Sequence, residues 1–144
     1  MEITTQINTY INAQPESTRA DLHQLHDLML RWLPNGKLWF DEGINAEGKV
    51  VTNPTIGYGA YMHTFADTSI REVFQIGISA NTRGISVYIM GIRNTMNLAE
   101  IFGKRLGKAK VTSYCIAFKK LEDIHLEVLH EAVHRGVELS GKSS

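Results

Sequence analysis

Apolar residues recur along this chain with two different periods. Near the N-terminus the spacing is helical. Ile7, Tyr10 and Ile11 share one face of a short helix that Thr4 or Thr5 can cap, and Gln14-Pro15-Glu16 breaks it. Ser17 or Thr18 caps a second helix whose apolar stripe is Leu22, Leu25, Met29, Trp32 and Leu33. Pro34-Asn35-Gly36 ends that helix. From Lys37 the period falls to two. Residues 37–40 read as a short strand, and 41–55, with Gly43, Gly48 and Pro54, as a loop with room for a small hairpin. Residues 56–64, 71–80 and 85–90 alternate and are joined by turn-rich stretches, so they read as antiparallel strands. Residues 96–106 predict a helix capped by Asn94 or Thr95 and closed by Gly107; 111–118 predict a strand and 121–138 the last helix. The order is ααββββαβα. That is an α+β fold, with four helices and a single mainly antiparallel sheet of about five strands.

Strand parity divides the sheet into two unlike faces. One carries Ile56, Tyr58, Ala60 and Met62; Phe74, Ile76 and Ile78; Ile85, Val87 and Ile89; Tyr114, Ile116 and Phe118. It reads as the helix-covered core face. The other carries Gly57, Gly59, Tyr61 and His63; Val73, Gln75, Gly77 and Ser79; Ser86, Tyr88 and Met90; Ser113, Cys115 and Ala117. Glycine weakens a strand, so a face this rich in small residues implies that something approaches it closely. A helix, a second subunit or a ligand would each fit.

Composition adds boundaries. The chain has 144 residues, the length of one domain, read as residues 1–139 with a frayed tail at 140–144. Hydrophobic residues at 43% and charged ones at 21% are globular proportions, not those of a disordered chain. The lone Cys115 forbids an intrachain disulfide. No apolar run is long enough to span a membrane, and the polar start MEITTQINTYINAQ lacks the pattern of a signal peptide, so the expected location is cytoplasmic. Formal net charge is zero, which argues against general attraction to nucleic acid or an anionic membrane. The charge is uneven, however. Arg93, Lys104, Arg105, Lys108, Lys110, Lys119 and Lys120 face only Glu100 within 93–120, and 121–144 is net acidic. Few aromatics interleave with these lysines, so they read as solvated element ends and not as a single-strand-binding surface.

Several stretches, in order, carry a resemblance. They are Pro54-Thr55-Ile56-Gly57-Tyr58-Gly59, then Ile76-Gly77-Ile78-Ser79 with Arg83, then Ile85-Ser86-Val87-Tyr88-Ile89. Leu106-Gly107-Lys108, Lys110, Ser113-Tyr114-Cys115-Ile116 and Lys119-Lys120-Leu121 with Asp123-Ile124 follow. Together they resemble the YdhG-like family, also called domain of unknown function 1801, over nearly the whole chain. The run Ala80-Asn81-Thr82-Arg83-Gly84 departs from the family, which often has a proline and a further basic residue there, and loop 41–53 is individual. The resemblance implies a compact α+β domain, mostly without assigned activity. Some relatives are described as frataxin-like iron chaperones, which implies an acidic metal-handling surface.

The last helix offers two such readings. His130-Glu131-Ala132-Val133-His134 matches the zincin pattern, in which two histidines one turn apart bind zinc and the glutamate serves as general base. A catalytic zinc needs a third protein ligand, and only ten residues follow His134. Glu138 lies one turn further along the same helix and cannot close a tetrahedron, so a metalloprotease is rejected. On a continuous helix, Asp123, Glu127, His130, Glu131, His134 and Glu138 fall opposite the buried arc of Leu121, Ile124, Val128, Leu129, Ala132 and Val133. Asp123, Glu127 and Glu131 then stack like charges at i,i+4, and a weakly bound divalent metal would relieve them. A solvated acidic face is the plainer account. His26 and His125 lie in apolar stripes and read as structural, and Cys115 as an inert buried thiol.

No nucleophile and base stand in a recognisable pattern. The expected function is therefore a non-catalytic module that binds a small ligand or a partner through the small-residue face. Tyr61, His63, Gln75, Tyr88 and Cys115 would rim whatever helices leave uncovered, and Arg83, Lys108 and Lys110 near strand ends would add an anion contact. Those residues suggest a small acidic or aromatic ligand, with a homodimer burying the same face as the competing account. The alternative is metal handling by Asp123, Glu127, His130, Glu131 and His134.

Overall fold

A computed structural model of the protein describes residues 2–92 and 96–142. Helices α1 (Ile3–Asn12) and α2 (Glu16–Trp32) come first. Strands β1 (Leu38–Asp41), β2 (Thr55–Tyr58), β3 (Tyr61–Thr64), β4 (Ile70–Val73), β5 (Ile76–Asn81) and β6 (Gly84–Ile89) follow. A short helix α3 (Leu98–Phe102), strands β7 (Lys110–Val111) and β8 (Cys115–Phe118), a 3-10 turn (Leu121–Asp123) and helix α4 (Leu126–Lys142) complete the chain. The α+β class and the four α-helices match expectation. The sheet does not: it has six strands, all antiparallel, in the order β1-β2-β5-β6-β8-β7, and β3 and β4 form a separate two-stranded hairpin.

Three breaks produce the extra strands. The strand expected over 56–64 stops at Gly59, whose φ of 78° lies in the left-handed region that favours glycine. Beyond it the parity reverses, so Tyr61 is buried while Met62 is 54% exposed. The strand expected over 71–80 breaks at Phe74-Gln75, which carries the chain from the hairpin back into the main sheet. The strand expected over 111–118 folds back on itself at 112–114, which leaves Tyr114 48% exposed instead of in the core. Ile44 and Val50 form the small bridge that the loop had room for.

Three helices cover one face only. Leu38, Tyr58, Ile76 and Ile89 are aligned across four strands, and Phe40, Ile56, Ile78, Val87, Ile116 and Val111 across all six. His26 of α2 meets Tyr58, Gly136 of α4 lies against Ile89, and Tyr10 of α1 meets Phe40. The buried helix residues Ile7, Ile11, Leu22, Leu25, Met29, Leu129, Ala132 and Val133 join this core. Each large apolar side chain fully buried there contributes roughly 1.5–3 kcal/mol.

The helix ends depart from expectation. Glu2 and Pro15 precede α1 and α2 and make no side-chain caps; Thr4, Thr5, Ser17 and Thr18 lie inside the helices. Asn97 caps α3 by accepting from the Glu100 N–H, and the expected caps Asn94 and Thr95, like Arg93, lie outside the described residues. The third helix is only five residues long, and the carbonyls of Ser113 and Thr112 take the N–H groups of Leu98 and Ala99. The last helix begins at Leu126, after the 3-10 turn, which leaves His125 exposed. It runs through the expected frayed tail to Lys142, with Ser140 fully buried; Ser143 and Ser144 lie outside the described residues. Among the described residues no helix is long and apolar enough to cross a membrane.

Candidate functional site

The small-residue face carries none of the three helices that cover the other side. Its central row is Trp39, Gly57, Gly77, Tyr88 and Cys115, aligned across β1, β2, β5, β6 and β8. Phe74, expected on the core face, lies over the two glycines instead. A Cβ added at Gly57 or at Gly77 would come within 2.7 Å of its ring. The close approach that the glycines permit is therefore made by the chain itself. Trp39 meets Phe74 edge-on at 6.5 Å between centroids, and Tyr88 stacks on Tyr114 at 6.4 Å. Burial and the neighbouring Cys115 raise the Tyr88 hydroxyl above its ordinary range. Burial also raises the half-buried Cys115 thiol, against a lowering hydrogen bond from Ser86.

The predicted ligand residues do not converge on one site. Tyr88 and Cys115 are neighbours, and Lys110 pairs with Ala117 on the adjoining edge strand β7. Tyr61 and His63 belong to the separate hairpin, where the Tyr61 hydroxyl lies 2.9 Å from His63 Nδ1 and the His63 ring meets Phe65 edge-on. Gln75 is a buried clamp. Its Nε2 donates to the Ser140 hydroxyl at 2.8 Å and the Val137 carbonyl at 3.1 Å, and its Oε1 accepts from the Ala60 N–H. Arg83 occupies the turn between β5 and β6, and the Lys108 N–H donates to the Asp123 carbonyl. His26, read as structural, is buried with Nδ1 2.6 Å from the Tyr58 hydroxyl.

The acidic arc of the last helix is also dispersed. Asp123 lies in the 3-10 turn and not on α4. Glu131 holds Arg105 in a two-point pair at 3.0 Å for each bond, which lowers the carboxyl pKa and raises that of the guanidinium. The His130 ring stacks on Trp32 at 4.6 Å, and His134 meets His130 edge-on. Among the described residues no three His, Cys, Asp or Glu side chains gather as a metal-holding group.

A concavity lies elsewhere, beside the edge strand β1. It is an open groove of about 600 Å³, lined by Gln6, Trp39, Phe40, Asp41, Glu42, Ile44, Asn45, Glu72, Val73 and Phe74. The break that frees Phe74 and the bend after β1 build it from distant parts of the chain. Its walls are held in place: Trp39 Nε1 donates to the Gly59 carbonyl at 2.7 Å, Asp41 accepts from the Gly43 N–H at 2.8 Å, and Gln6 reaches Glu42 at 3.4 Å. Lys37 binds two of the wall residues. Its ammonium lies 2.6 Å from Glu72 and 4.3 Å from the centre of the Trp39 ring. A more polar hollow of about 390 Å³ lies between α2 and the 3-10 turn. Parity places Trp39 on the outer face, but only the position of Phe74 reveals the groove, and that depends on a strand break that alternation does not show. Compared with protein-family models, curated proteins and solved structures, the chain matches none.

Proposed function

We propose that this chain is a non-catalytic binding module and that the groove beside β1 takes its small ligand. The observation that supports this is the groove's make-up: three aromatic residues, Trp39, Phe40 and Phe74, beside carboxylates in one concavity of about 600 Å³. Ligand pockets commonly enclose roughly 300–1,000 Å³ and combine apolar walls with a few fixed polar groups. The kinship with the YdhG-like family belongs to the same proposal and rests on the stretches that carry it. The site differs from the one parity suggests, because Phe74 fills the glycine ground. A metal-handling role for α4 gains no support from side chains engaged with Arg105 and Trp32. The test is a fragment screen by NMR. Shifts should cluster at Trp39, Glu72 and Phe74; a cluster at Tyr88 and Cys115 with Trp39 silent would move the site to the outer face.

Self-association through the outer face is the second reading. The half-exposed Tyr114 stacked on Tyr88 on a helix-free sheet surface favours it. Light scattering on the purified protein and on Tyr88→Glu tests this: a dimer that the substitution dissociates supports the interface, and a monomer at high concentration removes it.

A further inference from the structure

The chemistry of the groove's ligand can be taken one step further, on the reading that the groove is the site. We propose that it binds a small organic cation, an ammonium or guanidinium on an apolar body, and that Lys37 is the built-in competitor for that cation. Three carboxylates line the groove, Asp41, Glu42 and Glu72, and no basic residue is among the lining side chains. The indole of Trp39 and the ring of Phe74 supply flat apolar surface beside them. An aromatic face attracts a cation through its quadrupole, and tryptophan does so best. A neighbouring carboxylate adds Coulomb attraction and a charge-assisted hydrogen bond.

The protein itself demonstrates this pairing. The Lys37 ammonium sits 4.3 Å from the Trp39 ring centre while bonding Glu72 at 2.6 Å. One cation thus touches an aromatic ring and a carboxylate that both line the groove. The contact is loosely held: the side chains of Lys37 and Glu72 are 56% and 45% exposed. Exposed ion pairs are weak, because water screens them and two long side chains must be ordered. An incoming cation with an apolar body can therefore displace the lysine from Glu72, and its body can lie against Trp39, Phe74 and the half-exposed Ile44. The ligand chemistry suggested by Arg83, Lys108 and Lys110 is the opposite one, and none of those three residues lines this groove.

Three probes that share a phenylethyl body and differ in charge test the assignment: 2-phenylethylamine, 2-phenylethanol and 3-phenylpropionate. The readout is the Trp39 indole N–H signal on the full chain, with Trp32, stacked on His130, as the internal reference. The amine should bind most tightly and the carboxylate least. Lys37→Met keeps an apolar stem and removes the charge, and it should tighten amine binding by roughly threefold to thirtyfold, the combined size of an exposed cation–π contact and an exposed ion pair. Glu72→Gln should weaken the amine and reduce the gain from Lys37→Met to the part that Trp39 supplies. Lys119→Met removes the same charge from the end of β8 and should change nothing. Equal affinity for the amine and the carboxylate overturns the cation assignment and leaves the groove as a site. A Lys37→Met variant without gain, or a Lys119→Met variant with the same gain, overturns Lys37 as the competitor. A Trp39 signal unmoved by all three probes removes the groove as the site, and the cation with it.

Discussion

The two faces of the sheet are filled by different means. On one, Ile56, Ile78, Val87 and Ile116 stand in a row across four strands, every one fully buried beneath helices. On the other, the adjoining row is Trp39, Gly57, Gly77, Tyr88 and Cys115, and the ring of Phe74 lies over its two glycines. The first row is covered by side chains from distant elements, each supplying periodic apolar stripes. The second is covered by one ring, Phe74, which a local break swings over two glycines. A periodic face becomes a core because many independent contacts agree. A face of small residues becomes a surface whose shape depends on a single segment, and that dependence leaves a groove beside it.

The largest expected effect separates the faces directly. Ile78→Ala removes a fully buried side chain from the covered face and should cost about 2–5 kcal/mol, the range for such truncations. Tyr88→Ala on the other face removes a partly buried ring and its stacking on Tyr114 and should cost less, about 1 kcal/mol. Denaturant unfolding at low protein concentration measures both. A Tyr88 cost equal to that of Ile78 would break the comparison, since it would require the outer face to be covered in solution.

Next is the ring over the glycines. Gly57→Ala places a Cβ 2.7 Å from Phe74 Cγ, close to the stiff base of the side chain, so the ring must move. Overpacking of this kind costs roughly 1–3 kcal/mol. In a Phe74→Ala background the added methyl has room, and the cost of Gly57→Ala should largely vanish. A double-mutant cycle by chemical denaturation reads this coupling. Additive costs would mean that Phe74 does not cover the face.

The same contrast explains what could be read from the chain. The covered face was legible almost residue by residue, because Ile76, Ile78, Ile85, Val87, Ile89, Ile116 and Phe118 keep period two and all are buried. The helices were legible for the same reason, through Leu22, Leu25 and Met29, although their caps were not. Parity failed wherever the backbone turned. Gly59 resets it between Tyr58 and Tyr61, so Ala60 and Met62 leave the core face. Phe74 keeps the right alternation and lands on the wrong face, because the strand has ended one residue earlier. The scattered ligand set follows from this. Tyr61, His63 and Gln75 shared a face with Tyr88 only on strands that run unbroken. The acidic arc failed likewise, since Asp123 needs a continuous helix through Ile124 and His125. The groove was illegible because Trp39, Glu42, Glu72 and Phe74 meet only after those breaks.

A pH effect of intermediate size belongs to the covered face. His26 is buried against Tyr58, and burial, partly countered by Asp27 and reinforced by His23, lowers its pKa below the ordinary 6.5. The unfolded chain therefore takes up this proton more readily than the folded one. Stability from this site is complete above pH 6.5 and is lost as pH falls from there toward the lowered folded value. Unfolding free energy followed from neutral to mildly acid pH should decline, and His26→Gln should flatten part of the decline. An unchanged slope would place the proton uptake elsewhere.

The smallest effect is kinetic and concerns the open face. Cys115 sits in the outer row, paired with Tyr88, yet it is only half-buried. Thiol alkylation proceeds through the thiolate, so its rate at fixed pH follows the ionised fraction and the access of the reagent. Burial raises the Cys115 pKa, and the Ser86 hydrogen bond reverses only part of that. At neutral pH the folded protein should therefore react with iodoacetamide more slowly than the unfolded chain, and the deficit should narrow as pH is raised toward the thiol's own range. Tyr88→Ala opens the thiol to water and should speed the reaction without a large loss of stability. On the covered face no comparable change is available, because truncation there costs stability before it grants access. A folded protein whose Cys115 reacts as fast as the unfolded chain would show that burial does not hold the thiol protonated, and the outer face would then be fully open.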